Sequence, residues 1–363
     1  MKLLRYLGGS VLLFLGLAQI ASAHEAYVVP RDYFWQQLAT PFSAHALDAL
    51  RNPNNVRITL EVVIGVLALL AANYFFRESA WGRRFHQAIE RLAPYGPLFV
   101  RAAIAAAFFY SALSWSFLGP ELVLQQMPWP AVMRGVLFLC SGLIALGFLT
   151  EFAGLLALVL FTIGFFVFGL YLMTYLNYLG EIIVLLLFGM RKWSLDGLLF
   201  GPRKLFSTWE QYGTSIVRVF YGLALSYAAV NVKFLHPDLT VRVVTDWHLT
   251  QFHWLFPSDP LLVVLGAGLS ELAIGLFIIF GFEMRLTVAI SLFYITLSLL
   301  YFRELVWPHL MLYGISLNLI VQPEVFTVDH LLFKERRAGW WKRPWLPHRR
   351  VGQVDGGSGP AAV

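Results

Sequence analysis

The sequence predicts an all-helical membrane protein in which nine transmembrane helices follow a cleaved signal peptide. Three observations support this fold class. Hydrophobic residues make up 58% of the 363-residue chain and charged residues only 13%, and the mean hydropathy is +0.67. Several apolar runs reach the length of about 20 residues that a helix needs to cross a bilayer. The second half of the chain also repeats motifs of the first, which predicts two copies of one helical unit.

Residues 1–23 have the features of a signal peptide. Lys2 and Arg5 precede an apolar stretch, and Ala21-Ser22-Ala23 has the small-x-small pattern of a cleavage site. Cleavage would make His24 the N-terminus, and an uncleaved signal anchor is the alternative. In both cases residues 24–55 are expected to form a periplasmic segment.

Nine stretches are apolar and long enough to be transmembrane helices. They are 56–76, 98–118, 132–150, 152–173, 174–190, 215–235, 261–281, 285–301 and 305–321. They divide the chain into a leading helix with an amphipathic interfacial helix (56–97), a first unit (98–200), a second unit (215–330) and a basic tail (331–363). Each unit contains four spans, so the two units run in the same direction as a parallel repeat.

The basic residues predict the orientation of these spans. Arg and Lys are concentrated after the first span, between the two units and in the C-terminal tail. All three segments fall on one side of the membrane, and positive charge favours the cytoplasmic side. We therefore expect a bacterial inner-membrane protein with a periplasmic N-terminus and a cytoplasmic C-terminus. The basic charge then reflects topology, and no nucleic-acid partner is expected.

Short motifs align the two units. Residues 117–122 (Phe-Leu-Gly-Pro-Glu-Leu) correspond to residues 234–239 (Phe-Leu-His-Pro-Asp-Leu) at a shift of 117 positions (234 minus 117). The same shift aligns Arg101 with Arg218. After a longer loop in the second unit, a shift of 132 positions (283 minus 151) aligns Glu151 with Glu283 and Asn177 with His309.

The motifs of the second unit resemble those of the DoxX family, which are small four-helix bacterial membrane proteins. They are Arg218-x3-Gly222, Asn231-x-Lys233-Phe234, Pro237-Asp238 and Glu271-Leu-Ala-x-Gly275 running to Arg285. The first unit ends with Ser194-Leu195-Asp196, which is similar to the ending of that family. The resemblance covers residues 100–320 as two fused DoxX-like units.

DoxX-like proteins resemble a membrane subunit of a thiosulfate:quinone oxidoreductase, and others are linked to membrane complexes that handle oxidative or thiol stress. The resemblance therefore implies a quinone-linked or redox-complex membrane subunit, either non-catalytic or the membrane anchor of an oxidoreductase. The expected partners are the lipid bilayer and a soluble or membrane oxidoreductase. Cys140 is the single cysteine, so thiol redox chemistry would also need a partner protein.

Polar residues that occur in only one unit are the candidates for function, because the packing shared by both units does not need them. Glu271 lies near the middle of a span, where an ionised side chain costs on the order of 3 kcal/mol or more unless it is paired or protonated. We predict Glu271, Lys233 and His309 as catalytic residues. We predict Asn231, His236 and Asp238 as cofactor-binding residues of the same polar cavity, in the outer half of the second unit.

Such a cavity suits a quinone head group, whose reduction consumes protons and whose oxygens accept hydrogen bonds. A structural role is the alternative for two of the residues. Glu271 could fix helix packing through a buried hydrogen bond, and Lys233 could extend to the membrane interface.

Copper is the alternative cofactor. Most histidines fall on the predicted outer side, and an N-terminal histidine can chelate Cu(II) through its amine and its ring nitrogen. His24 and His45 are the candidate ligands, without a ligand set of recognised spacing. A periplasmic metal-binding protein, a small-solute transporter and a non-catalytic membrane scaffold therefore remain alternatives to the redox subunit.

Overall fold

The computed structural model describes residues 25–189, 193–201, 212–251, 256–322 and 326–329. These residues are mostly helical and contain no β-strand, so the predicted all-helical class is confirmed. The predicted signal peptide, His24 and the basic tail 331–363 lie outside the described residues.

The α-helices are numbered in chain order. Those before the second unit are α1 (Glu25–Val28), α2 (Arg31–Leu38), α3 (Pro53–Glu78), α4 (Ala80–Glu90), α5 (Gly96–Leu113), α6 (Pro130–Leu146), α7 (Thr150–Phe168), α8 (Leu176–Phe188) and α9 (Leu195–Phe200). Those of the second unit are α10 (Gly213–Ala228), α11 (Pro237–Asp246), α12 (Pro260–Phe280), α13 (Met284–Tyr301) and α14 (Leu310–Val321). Short 3₁₀ segments connect several of them, and a π-helical turn, Ala229–Phe234, continues α10.

Six helical stretches in the described part of the chain are long and apolar enough to cross a membrane. They are Pro53–Glu78, Ala80–Leu113, Thr150–Phe188, Gly213–Phe234, Pro260–Phe280 and Met284–Tyr301. Pro130–Leu146 and Trp307–Val321 are apolar but shorter. Each of the nine apolar stretches predicted from the sequence overlaps one of these helical stretches. The chain is therefore a multi-pass membrane protein by the length and composition of its helices.

Local sequence signals determine where two of the long helices begin. Asn52 precedes α3, and its side chain accepts a hydrogen bond from the Asn54 backbone N–H at 3.0 Å. Asp259 caps α12 in the same way, by accepting from the Leu261 N–H at 2.9 Å. A proline is the first residue of both helices, where its missing N–H costs nothing.

Helices pack both within and between the two units. In each unit, successive long helices pack against each other: α5 with α6, α6 with α7 and α7 with α8, and α10 with α12, α12 with α13 and α13 with α14. Between the units, α14 packs against α5 and α8 packs against α10. The last helix of each unit thus packs on the first helix of the other.

Glycines allow the close approach of these inter-unit helix pairs. A Cβ atom on Gly180 of α8 would lie 2.6 Å from the Cβ of Phe220 on α10. A Cβ atom on Gly314 of α14 would lie even closer to the Cβ of Ala103 on α5. Such separations are far below van der Waals contact, so both helix crossings need glycine.

The two ends of the bundle differ in what they contain. The N-terminal segment, residues 25–52, packs on α11 and on the beginning of α12; we call this the capped end. Four arginines that contact the bundle gather at the opposite end, which we call the basic end: Arg77, Arg101, Arg218 and Arg285.

Arg101 and Arg218 make the same type of contact at the basic end. Arg101 donates a hydrogen bond to the carbonyl of Trp193 at 2.6 Å. Arg218 donates to the carbonyl of Phe326 at 2.8 Å. Both acceptor residues have positive φ angles, +56° and +53°, so each arginine stabilises a sharp turn after the last long helix of its unit.

Two aspartates also make equivalent contacts there. Asp196 accepts a hydrogen bond from the Leu149 N–H at 2.8 Å, and Asp329 accepts one from the Glu283 N–H at 3.0 Å. Leu149 and Glu283 both have left-handed backbone angles, φ +48° and +45°, and each directly precedes the third long helix of its unit. The aspartates therefore cap α7 and α13.

The leading helix α3 is held by polar contacts at its two ends. At the capped end, Asn55 donates a hydrogen bond to Asp259 at 2.6 Å. At the basic end, Arg77 pairs with Glu283 at 2.8 Å and with Asp329 at 3.1 Å, while Asn73 donates to Glu283 at 2.6 Å. Between these ends, none of the apolar window of the helix is buried. The middle of α3 therefore offers its apolar side chains to lipid.

Replacing Gly314 with alanine should destabilise the protein by about 1–3 kcal/mol, because the added methyl group collides with Ala103. Thermal unfolding of the purified protein in detergent measures this effect. Gly266→Ala on α12 is the matched control, since no atom lies within 4 Å of its added Cβ. Equal unfolding temperatures for the two variants would contradict the packing of α14 on α5.

Replacing Arg77 with methionine should cost about 3–5 kcal/mol, because Glu283 and Asp329 would remain buried without their cation. Arg57→Met on the same helix is the control: Arg57 and Glu61 are 70% and 66% exposed, so the loss of their pair should cost about 0–1 kcal/mol. Both values come from unfolding in detergent. A small effect at Arg77 would mean that α3 is not anchored by these carboxylates.

Candidate functional site

A cavity of about 60 Å³ lies near the capped end, between the first and the second unit. Three parts of the chain line it. The first unit contributes Tyr171, Thr174, Tyr175, Asn177 and Tyr178; the second unit contributes Ala224, Leu225, Ala228, Val232, Glu271, Pro308, His309 and Leu312; the N-terminal segment contributes Ala26 and Phe34. The sequence predicts a cavity within the second unit, whereas five of the seven polar residues that line the observed cavity belong to the first.

Glu271 on α12 forms an ion pair with Lys233. The Lys233 Nζ and a Glu271 carboxylate oxygen are 2.8 Å apart, and the side chains are 10% and 21% exposed. Lys233 lies in the π-helical turn that follows α10, a widened turn that is frequent at functional sites. The pair offsets the free-energy cost of placing a carboxylate within a membrane helix.

His309 forms a second buried pair, with Glu304. The His309 Nε2 and a Glu304 carboxylate oxygen are 2.7 Å apart, and the two side chains are only 5% and 1% exposed. The His309 Nδ1 lies 2.9 Å from the Leu305 carbonyl oxygen, which can only accept, so Nδ1 carries a proton. Nε2 and the Glu304 carboxyl group then share a second proton. The hydroxyl of Ser298 donates to Glu304 as well.

Glu121 fixes two tyrosines of the cavity wall. Its carboxylate accepts hydrogen bonds from the hydroxyls of Tyr171 at 2.9 Å and Tyr175 at 2.6 Å. Glu121 is 2% exposed, so these bonds are shielded from water. The carboxylate therefore determines where both aromatic rings lie along the cavity.

Phe34 of α2 closes the cavity from the capped end. It is fully buried, and its ring lies 5.4 Å from the ring of Tyr171 in an edge-to-face arrangement. Trp35 adds a second edge-to-face contact with Tyr171, at 5.1 Å. The N-terminal segment thus covers one side of the cavity through aromatic contacts.

The cavity combines aromatic walls with groups that exchange protons. Glu271 and His309 line the cavity, where they pair with Lys233 and Glu304. The Glu121 carboxylate bonds two of the lining tyrosines. In a low-dielectric environment each of these charges depends on its partner. The Glu271 and His309 side chains that line the site can therefore donate or accept a proton.

The predicted cofactor-binding residues Asn231, His236 and Asp238 do not line this cavity. His236 donates from Nδ1 to the Asn231 carbonyl at 2.8 Å and packs edge-to-face with Phe42, with ring centres 5.6 Å apart. Asp238 is exposed and lies 3.3 Å from His45 Nε2. These residues attach the N-terminal segment to the second unit.

The copper prediction concerned His24 and His45. His45 bonds the Ser43 hydroxyl through Nδ1 at 2.7 Å and contacts Asp238 through Nε2. Within the described ranges, no three His, Cys, Asp or Glu side chains come together as a metal site. His24 lies outside those ranges, so the copper prediction is untested.

Sequence reasoning missed Glu121, Glu304 and the tyrosines. Glu121 had a signal, because it belongs to the repeated Phe-Leu-Gly-Pro-Glu-Leu motif and aligns with Asp238. Glu304 lies five positions before His309 (309 minus 304) in a connection between helices, where a carboxylate is ordinary. Nothing in the sequence placed Tyr171 and Tyr175 opposite the second unit.

No protein-family model, no curated protein and no solved structure matches this chain. The DoxX resemblance and the functions that it implies therefore stay predictions.

Replacing Phe34 with alanine should open the cavity. In a variant with Cys140→Ala and Ala228→Cys, the new thiol lies in the cavity wall, where Ala228 is 6% exposed. Loss of the buried Phe34 ring weakens the packing of α2 on the cavity by about 3–5 kcal/mol, which raises the population of the open cavity. A water-soluble maleimide should therefore label this new thiol at least about tenfold faster in the Phe34→Ala protein.

Leu47→Ala provides the control for this labelling experiment, because Leu47 is 50% exposed and does not line the cavity. Equal labelling rates in the Phe34 and Leu47 variants would show that α2 does not cover the cavity.

Proposed function

We propose that this chain is an inner-membrane, quinone-linked subunit of a redox complex, and that the quinone head group binds in the cavity between the two units. The observation that carries the proposal is the cavity itself. Aromatic rings form its walls, and two buried pairs that can exchange protons, Glu271 with Lys233 and His309 with Glu304, lie at its polar side.

The chemistry of a quinone matches these groups. Reduction to a quinol takes up electrons, which the redox partner supplies, and protons, which must reach the ring oxygens. Glu271 and His309 both line the cavity and can transfer protons to a bound ring. Lys233, paired with Glu271, would stabilise negative charge that develops on a ring oxygen.

The size of the cavity sets a condition on binding. A six-membered ring needs a cavity of about 150 Å³, and the present volume of about 60 Å³ corresponds to a few water molecules. A quinone ring therefore enters only when a wall moves. Phe34 is the side chain to move, because it belongs to the N-terminal segment rather than to the membrane bundle.

We also propose that the chain contains two DoxX-like units in a parallel repeat. The matching contacts of Arg101 and Arg218, and of Asp196 and Asp329, support this proposal. The reciprocal packing of the last helix of each unit on the first helix of the other supports it as well. The Ser194-Leu195-Asp196 ending has a physical role here, since Ser194 and Asp196 both cap helices.

These contacts favour a register that differs from the one read from the sequence. Leu149 and Glu283 hold the same position, as do Gly180 and Gly314, and both pairs correspond to a shift of 134 positions (283 minus 149). The sequence alignment used a shift of 132 and paired Glu151 with Glu283. In the new register Leu137 aligns with Glu271, and Tyr175 aligns with His309.

The proposed topology has nine crossings with the capped end in the periplasm. The fold supports it because α8 packs back along α7 after the positive φ angle of Gly169, +60°, so Thr150–Phe188 counts as two crossings. The arginines of the basic end and the basic loops then lie on the cytoplasmic side.

A small-solute transporter is the second candidate. The cavity lies between the two units, which is where substrate sites occur in transporters built from repeats. Under this alternative Glu271 and His309 bind the solute rather than a quinone.

Replacing Glu271 with glutamine should weaken quinone binding by about tenfold or more, because a charge-assisted hydrogen bond is worth about 1.5–3 kcal/mol. The measurement is titration calorimetry of the full chain in lipid nanodiscs with a short-tailed ubiquinone analogue. Glu181→Gln is the matched control, since Glu181 is a 1% exposed carboxyl group of α8 that does not line the cavity.

The result decides between the candidates. Saturable binding that Glu271→Gln weakens and Glu181→Gln preserves supports the redox subunit. Absence of binding to the unmodified protein, even with Phe34 replaced by alanine, rules the quinone site out.

A further inference from the structure

We infer that the second unit contains a proton pathway that connects the cavity to the basic end of the bundle, through the hydroxyls of Tyr221, Ser291 and Ser316. The pathway deepens the proposed function, on which its physiological role rests, because it would supply the protons that quinone reduction consumes. Proton conduction itself does not depend on a bound quinone and can be measured without one.

The three hydroxyls meet in the interior of the second unit. Tyr221 lies on α10, Ser291 on α13 and Ser316 on α14. The Tyr221 hydroxyl is 3.3 Å from the Ser291 hydroxyl and 3.1 Å from the Ser316 hydroxyl. All three side chains are at most 3% exposed. Each hydroxyl can donate one proton and accept another, which is what proton relay along a hydrogen-bonded chain requires.

The hydroxyl cluster lies directly below the cavity. Leu225 and Leu312 line the cavity, and Tyr221 and Ser316 are one helical turn further from it on the same helices, which is about 6 Å. Tyr221 is also close enough to Glu271 for an electrostatic interaction. A proton that reaches Tyr221 therefore has Glu271 as its next acceptor.

The route continues from Ser291 toward the basic end. Thr287 is one turn before Ser291 on α13, is 3% exposed, and has a hydroxyl of its own. Its hydroxyl donates a hydrogen bond to the carbonyl of Phe282 at 3.1 Å, next to Glu283, which pairs with Arg77. A hydrogen-bonded water between the Ser291 and Thr287 hydroxyls would bridge the turn that separates them. Polar groups thus follow one another from the cavity to the charged cluster.

The first unit shows that packing alone does not need these hydroxyls. We align the units with the shifts of 117 for the first helix and 134 for the later helices. The first-unit residues that align with the pathway residues are then all apolar. They are Ile104 for Tyr221, Leu137 for Glu271, Ala153 for Thr287, Ala157 for Ser291 and Ile182 for Ser316, each at most 2% exposed. At these five positions the first unit therefore packs with apolar side chains, and the polar groups of the second unit indicate another role.

The proton balance of one transfer is simple. A proton from water at the basic end binds the first hydroxyl, each hydroxyl passes on the proton that it carried, and the Tyr221 hydroxyl protonates the Glu271 carboxylate. The ion pair of Glu271 with Lys233 is then lost, which favours release of the proton from Glu271 into the cavity, toward the ring or toward His309 and Glu304. One positive charge moves toward the capped end, and no electron is transferred.

Proton flux into proteoliposomes tests the pathway. The full chain is reconstituted, a valinomycin-mediated potassium gradient sets the membrane potential, and an entrapped pH dye reports proton entry. Unmodified protein should conduct protons faster than protein-free vesicles. Ser291→Ala should reduce the protein-dependent rate at least tenfold, and Ser291→Thr, which keeps the hydroxyl, should restore it.

Ser141→Ala on α6 is the matched control. Ser141 is a buried serine, 6% exposed, whose hydroxyl bonds the Ala105 carbonyl at 2.7 Å, but it belongs to the first unit. This variant should conduct like the unmodified protein. Conduction no faster than in protein-free vesicles, or equal losses in Ser141→Ala and Ser291→Ala at unchanged unfolding temperature, would overturn the pathway.

Quinone titration of the Ser291→Ala protein separates this inference from the proposed function. Loss of conduction with unchanged binding of the ubiquinone analogue supports the pathway. Conduction in a protein that binds no quinone would retain the pathway and remove the quinone site.

Discussion

The structure depends on one constraint, which is that an ionised side chain inside a membrane must have a partner. Several charged residues of the bundle meet this requirement in two groups. Lys233 with Glu271 and His309 with Glu304 lie at the capped end, and Arg77 with Glu283 and Asp329 lies at the basic end. Because Lys233 and Glu271, and Arg77 and Glu283, come from different parts of the bundle, these pairs also set how the helices are arranged relative to one another.

The pairs of the capped end differ from those of the basic end in what surrounds them. At the basic end, arginines bond backbone carbonyls and aspartates cap helices, so the charges complete the ends of secondary structure. At the capped end, the pairs border a cavity and are covered by the N-terminal segment. Charge therefore has a structural use on one side and is available for chemistry on the other.

Hydrophobic runs and their lengths predicted the helices well, because a helix in a bilayer leaves a strong signal in composition. The same contrast picked out Glu271, Lys233 and His309 as polar residues in apolar surroundings. Their neighbours were not predictable. Tyr175 reaches the cavity from the first unit, and Glu304 pairs with His309 from a connection between helices. The position of Tyr175 is a long-range contact, which local pattern does not encode.

The leading helix α3 spans the same depth as α12 and is attached to both of its ends, through Asp259 just before α12 and Glu283 just after it. Two rods of similar length that are joined at both ends cannot tilt independently. A bilayer that becomes thinner or thicker normally changes the tilt of a single helix. Here α3 and α12 can change their tilt only together. The leading helix therefore keeps Glu271, midway along α12, at a constant depth in membranes of different thickness.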